Sequence, residues 1–132
     1  MHIEYLSLVN FRNFARLELA LPEGAVLLHG ANAQGKTSLL EAVYYLATAS
    51  SPYTSADWQL INWRAENDVL PFTRLSADVV TRHSPLSRIE ITLLREGSGT
   101  EQRTQKDVRL NGVPRRVMDL IGQLNVVLFV PQ

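Results

Sequence analysis

The chain has 132 residues, 45% of them hydrophobic, with 13 Lys+Arg against 13 Asp+Glu and no cysteine. This is the size and apolar share of one globular domain or part of one, and it excludes a disordered tail, a disulfide framework, a Cys-based zinc site and a thiol nucleophile. No apolar run approaches the roughly 20 residues a bilayer demands, no signal peptide opens the chain, and a formal charge of +0 gives no general pull on nucleic acid.

A soluble, cytosolic protein without a membrane partner is therefore expected, with any DNA contact confined to a local patch. The opening reads as two short strands. His2 to Val9 places Ile3, Tyr5 and Val9 in alternation with polar neighbours, and Phe14 to Leu21 repeats the pattern through Leu17, Leu19 and Leu21. Only Asn10-Phe11-Arg12-Asn13 separates them, too little for a crossover helix, so the pair should be antiparallel. After the turn signal Pro22-Glu23-Gly24, the run Ala25-Val26-Leu27-Leu28 suits a central strand buried on both faces. A helix then begins near Gly35-Lys36-Thr37, with Leu39, Leu40, Val43, Leu46 and Ala47 at helical spacing.

Thr48 to Asp57 is small and polar with Pro52 as a breaker, and the segment holding Trp58, Leu60, Ile61 and Trp63 takes no clear assignment. Phe72 to Arg82 and Leu86 to Arg95 read as strands around Ser84-Pro85, and Asp107 to Leu110 runs into the hairpin signal Asn111-Gly112. Pro114 suits the first position of a helix through Met118, Leu120 and Ile121. Asn125 to Val130 reads as a last buried strand.

One motif carries the chemistry. Gly30-Ala31-Asn32-Ala33-Gln34-Gly35-Lys36-Thr37 fits G-x-x-x-x-G-K-[ST], the Walker A or P-loop pattern. Its glycines let the backbone curl so that successive N–H groups point at phosphate oxygens, and the following helix aims its positive end at the same anion. Lys36 can reach the β- and γ-phosphates, and the Thr37 hydroxyl can ligate Mg²⁺. A nucleotide site, with ATP and Mg²⁺ as cofactors, is the reading.

The residues around that loop are informative. Leu6-Ser7-Leu8-Val9-Asn10-Phe11-Arg12-Asn13, the loop itself, and its continuation Ser38-Leu39-Leu40-Glu41-Ala42-Val43-Tyr44-Tyr45-Leu46 closely resemble the RecF family, bacterial recombination mediators with an ABC-type, SMC-like ATPase head. Fainter likeness continues through Asp57 with Leu60-Ile61, Arg109-Leu110-Asn111-Gly112 and Leu124-Asn125-Val126-Val127-Leu128-Phe129. The resemblance implies an α/β P-loop fold: residues 1–132 as the N-terminal lobe of a head, with the P-loop at 30–37 and an antiparallel β-meander subdomain at about 72–112. It implies that Gly30 and Asn32, Ala33, Gln34, Gly35, Lys36, Thr37 and Ser38 wrap the triphosphate, with Arg12 and Asn13 beside the nucleotide. Gln132 stands near where ABC-type heads place a glutamine that senses Mg²⁺ and the γ-phosphate, although the family usually has an acidic residue there. Tyr53 stands where the family tends to carry an arginine, so that arginine's contact is not carried over.

For the whole protein the resemblance implies ATP-dependent pairing of two heads and DNA binding at single-strand/double-strand junctions. It also implies loading of recombinase, with mediator partners, in gap repair and the SOS response. A Walker B strand ending in Asp-Glu and a signature motif are missing from these 132 residues, so the chain reads as part of a longer head that binds ATP without hydrolysing it. Leu120-Ile121-Gly122-Gln123 lacks the signature serine and reads as a helix end. Rival readings are another SMC-like repair head, a small-molecule kinase on the same loop, and a P-loop interaction module without turnover. His2, His29 and His83 share no ligand spacing, Trp58 and Trp63 read as packing residues, and Arg115-Arg116 reads as a solvated helix face.

Overall fold

A computed structural model describes residues 1–29, 35–62, 71–83, 86–97 and 103–129. Its elements in chain order are β1 (His2–Phe11), β2 (Phe14–Ala20), α1 (Lys36–Thr48), a single 3₁₀ turn (Asp57–Leu60), β3 (Phe72–Val80), β4 (Ser87–Glu96), β5 (Arg103–Leu110), β6 (Val113–Arg115) and the short α2 (Val117–Leu120). The strands form one sheet in the order β2-β1-β3-β4-β5-β6, with every neighbouring pair antiparallel. The meander β3–β6 is continuous with the first hairpin, because β3 pairs with β1 along most of its length.

Side chains alternate across a pleated strand, so residues in register form rows that cross the sheet. Leu17, Leu8, Leu75, Ile91 and Val108 make one such row, and Leu19, Leu6, Ala77, Ile89 and Leu110 the next. This face carries the core, closed by Ala42, Tyr45 and Leu46 of α1 and by Leu60, Leu120 and Leu124. The opposite face aligns Glu18, Ser7, Ser76, Glu90 and Arg109, which explains why it can stay wet.

The β5–β6 hairpin turns at Asn111 and Gly112, both in the left-handed region at φ 52° and 79°, as the Asn-Gly pair anticipates. Asn111 also ties this turn to the start of β4. Its Oδ1 accepts the Arg88 N–H at 2.8 Å, and its own N–H donates to the Arg88 carbonyl at 2.9 Å.

Several sequence expectations need correction. In β1 the inward residues are Leu6, Leu8 and Phe11, all fully buried, whereas Tyr5 is exposed and Ile3 and Val9 are only half-buried. Both phases of this strand are apolar, and the one that faces α1 is decided by pairing with β2 and β3 on either side. Ala25–Leu28 forms no strand, and Leu27 is 84% exposed. A strand buried on both faces needs a ladder to join, and among the described residues nothing pairs with it. The same holds for the stretch from Asn125, where Phe129 is 89% exposed. Pro114 is not a helix start: it lies in β6 opposite Arg109, on the edge of the sheet, where a residue without an N–H is tolerated. Arg115 sits in β6 and Arg116 immediately before α2, both exposed, so no basic helix face forms.

Candidate nucleotide site

The start of α1 is the centre of the candidate site. Gly35 precedes the first helical residue, Lys36, and its carbonyl accepts the Leu39 N–H at 2.9 Å. No side chain caps this end and no acidic residue occupies the first turn, so its N–H groups and the positive end of the dipole are directed at whatever lies beyond Gly35. Lys36 and Ser38 are half-buried and Thr37 is exposed. Residues 30–34 of the loop, and Gln132, lie outside the described residues.

Gly35 is required on steric grounds as well. A Cβ at this position would come within 3.0 Å of the Phe14 Cζ, so the first residue of β2 packs directly on the loop glycine. This contact packs the start of β2, two residues after Arg12, against the residue that precedes α1.

The hairpin tip is held rigidly. Arg12 has φ 52°, in the left-handed region that arginine seldom adopts, and its N–H donates to the Leu60 carbonyl at 2.8 Å. The Asn62 N–H donates to the Asn10 carbonyl at 2.7 Å, and Phe11 bridges to Ile61. The segment that took no assignment from sequence thus forms a 3₁₀ turn whose end serves as a brace for the hairpin.

The Arg12 side chain reaches back to α1. Its Nε and Nη2 donate to the two carboxylate oxygens of Glu41, each at 2.8 Å, and its Nη1 donates to the Gln59 carbonyl at 3.2 Å. The Glu41 carboxylate raises the Arg12 pKa further above its ordinary value. Glu41 is only 1% exposed and accepts a third hydrogen bond from the Ser51 hydroxyl at 2.6 Å. Helical spacing assigned this stripe to leucines, yet Leu40 is exposed and Glu41 is buried. Sequence reading passed over Glu41 and Ser51, since a single carboxylate on an apolar helix gives no signal until its partner 29 residues away is seen.

A second ionic group sits beyond the helix. Lys106 of β5 pairs with Asp57 at 3.2 Å, donates to the Ala49 carbonyl at 2.7 Å and lies over the Tyr45 ring. The Tyr45 hydroxyl is buried with no hydrogen-bond partner of normal geometry among the described residues, though the Asp57 carboxylate is close enough to act on it. Burial, then that carboxylate, pushes the phenol pKa well above its usual value. Trp58 is partly exposed with the Arg95 guanidinium stacked over its ring, a packing role.

Residues 5–118 match the profile of the AAA domain family. The chain belongs to the AAA domain family and, within it, matches the N-terminal portion of RecF. It is 48% identical to the DNA replication and repair protein RecF of Chloroflexus aggregans, over 99% of this chain and 34% of that protein. To the RecF of Herpetosiphon aurantiacus it is 44% identical, over 100% of this chain and 36% of that protein. A solved structure of the recombination mediator protein RecF-ATP in the RecFOR pathway superimposes with a TM-score of 0.81 at 26% identity, covering 98% of this chain and 33% of that one. The chain spans about a third of the length of the curated relatives it matches.

Proposed function

We propose that this chain is the ATP-binding lobe of a RecF-like DNA replication and repair ATPase. The observation that carries the reading is the Walker A sequence opening an uncapped 13-residue helix, with the first hairpin packed on its Gly35, in a fold that superimposes on RecF-ATP. The donor set fits a triphosphate: there is no first-turn acid to repel it, no side chain on Gly35, and a lysine at the first helical position. In this reading Gly30 and Asn32 to Ser38 surround the phosphates, Lys36 neutralises charge, the Thr37 hydroxyl offers one ligand to Mg²⁺, and Arg12 and Asn13 flank the nucleotide from the hairpin tip. Gln132 is a further candidate at the metal.

Bound Mg-ATP would supply the charge that joins two such heads face to face. The paired heads would hold DNA at single-strand/double-strand junctions, with recombinase loading as the downstream role. The chain by itself binds ATP without turning it over, since its 132 residues hold one metal-ligating hydroxyl and no apolar run ending in Asp-Glu. The test is calorimetric titration with Mg-ATP. Lys36→Ala should weaken binding by about tenfold or more while cooperative unfolding is retained, because one charge-assisted phosphate contact is lost. A parent chain that binds no Mg-ATP at millimolar nucleotide, or a variant that binds as tightly as the parent, refutes the proposal.

A further inference from the structure

We propose that Glu41 is a positioning residue for the nucleotide site: it holds the Arg12 guanidinium at the mouth of the P-loop helix, in one orientation. The inference rests on the nucleotide-binding reading above and adds a residue which that reading does not contain.

Three observations support it. The first is geometry. Arg12 and Glu41 meet as a two-pronged pair with both bonds at 2.8 Å, and the Nη1 bond to the Gln59 carbonyl fixes the plane of the fork. A guanidinium has five N–H donors, so among the described residues two remain, and the side chain keeps 30% of its surface exposed. Those donors belong to a residue two positions from Phe14, whose ring rests against Gly35.

The second observation is the orientation of Glu41 itself. The Ser51 hydroxyl donates to Oε2, the same oxygen that accepts from Nη2, while the Ser51 Oγ accepts N–H groups from Tyr53 at 3.0 Å and Thr54 at 3.3 Å. Ser51, itself held by two backbone N–H groups, thus shares Oε2 with Arg12 and gives the carboxylate a second anchor besides the fork. The third is energetic. A buried ion pair is commonly no more stabilising than an apolar residue of similar volume, and α1 already carries leucines on adjacent positions. Packing alone therefore gives no reason for a carboxylate here, whereas orienting a cation does.

Mg-ATP affinity, measured by calorimetry on the full chain, tests the assignment across the parent, Arg12→Ala, Glu41→Gln and Ser51→Ala, and the last two each combined with Arg12→Ala, with thermal unfolding of each alongside. Glu41→Gln keeps the volume but loses the ion pair, and should weaken Mg-ATP binding about as much as Arg12→Ala, roughly tenfold. Arg12→Ala with Glu41→Gln should bind no more weakly than Arg12→Ala alone, the non-additivity of residues that act as a unit. Ser51→Ala leaves the ion pair in place, so it serves if Glu41→Gln does not fold. It should weaken binding about threefold when Arg12 is present and not at all when Arg12 is alanine. A merely structural role for Glu41 would lower the unfolding temperature and weaken ATP binding equally in both backgrounds, and that additivity overturns the proposal. So does unchanged affinity in a folded Glu41→Gln variant of a parent that binds. Absence of binding in the parent overturns this proposal together with the nucleotide reading beneath it.

Discussion

Truncating Leu8 and Val9 separately to alanine reads out which face of β1 the fold buries. Leu8 is fully buried, in register between Leu17 on β2 and Leu75 on β3, and surrounded by the apolar rows that α1 covers. Its neighbour Val9 is half-buried on the other face, and the hydrogen bond it contributes, from the Thr73 hydroxyl to its carbonyl at 2.8 Å, is made by backbone and survives the substitution. Leu8→Ala removes buried carbon and leaves a cavity in a rigid sheet, at a cost of about 3–4 kcal/mol. Val9→Ala removes two half-exposed methyl groups and should cost about 1 kcal/mol or less. With an unfolding entropy of about 2.1 cal/mol/K per residue, the first lowers Tm by roughly 10–15 °C and the second by no more than about 4 °C. Circular dichroism with thermal and urea unfolding measures both, and an unchanged urea slope certifies that the change is in stability. Equal losses, or a larger one for Val9→Ala, would mean that the strand presents its other phase to the core, the alternation through Ile3, Tyr5 and Val9, and the rows described above would be wrong.

Other consequences can be checked in the same preparation. Tyr45→Phe deletes a buried hydroxyl that has no hydrogen-bond partner of normal geometry among the described residues, so stability at neutral pH should hold or rise, by up to about 1–3 kcal/mol. The phenol pKa is raised in the folded state above its ordinary 10.0, so the folded state favours the neutral phenol, and the part of stability tied to its protonation is kept below pH 10 and lost as pH rises above that. Thermal unfolding at pH 7 and 11 should accordingly show a smaller alkaline loss in Tyr45→Phe than in the parent, and an equal loss rejects the assignment. Gly112 has φ 79° with open space around it, so Gly112→Ala should cost about 1–2 kcal/mol through backbone strain alone, seen as a lower urea midpoint. A phosphate-release assay on the chain should give no ATPase signal. Activity abolished by Lys36→Ala would show that a carboxylate within these residues, such as Asp57, Asp78 or Asp119, is catalytic.

Local chemistry made some of this protein legible in one dimension. The Asn111-Gly112 turn, the short link between the first two strands and the start of the helix at Lys36 each depend on a few adjacent residues, whose backbone preferences hold wherever the chain folds. The Walker A pattern is readable in one dimension for the same reason, since it is a matter of spacing rather than packing, although its residues 30–34 lie outside the described residues. Burial and pairing depend on partners far away along the chain, and there the tertiary structure decided. Ala25–Leu28 has the composition of a buried strand but no ladder to join among the described residues. Pro114 has the place of a helix start, yet an edge position on β5 was open to it. Glu41 gave no signal of its own in the helix sequence, and its role is seen only where the left-handed turn at Arg12 delivers a guanidinium across 29 residues of sequence. A carboxylate tolerates full burial only when such a partner arrives, and the folded sheet, not the helix sequence, places that partner within reach.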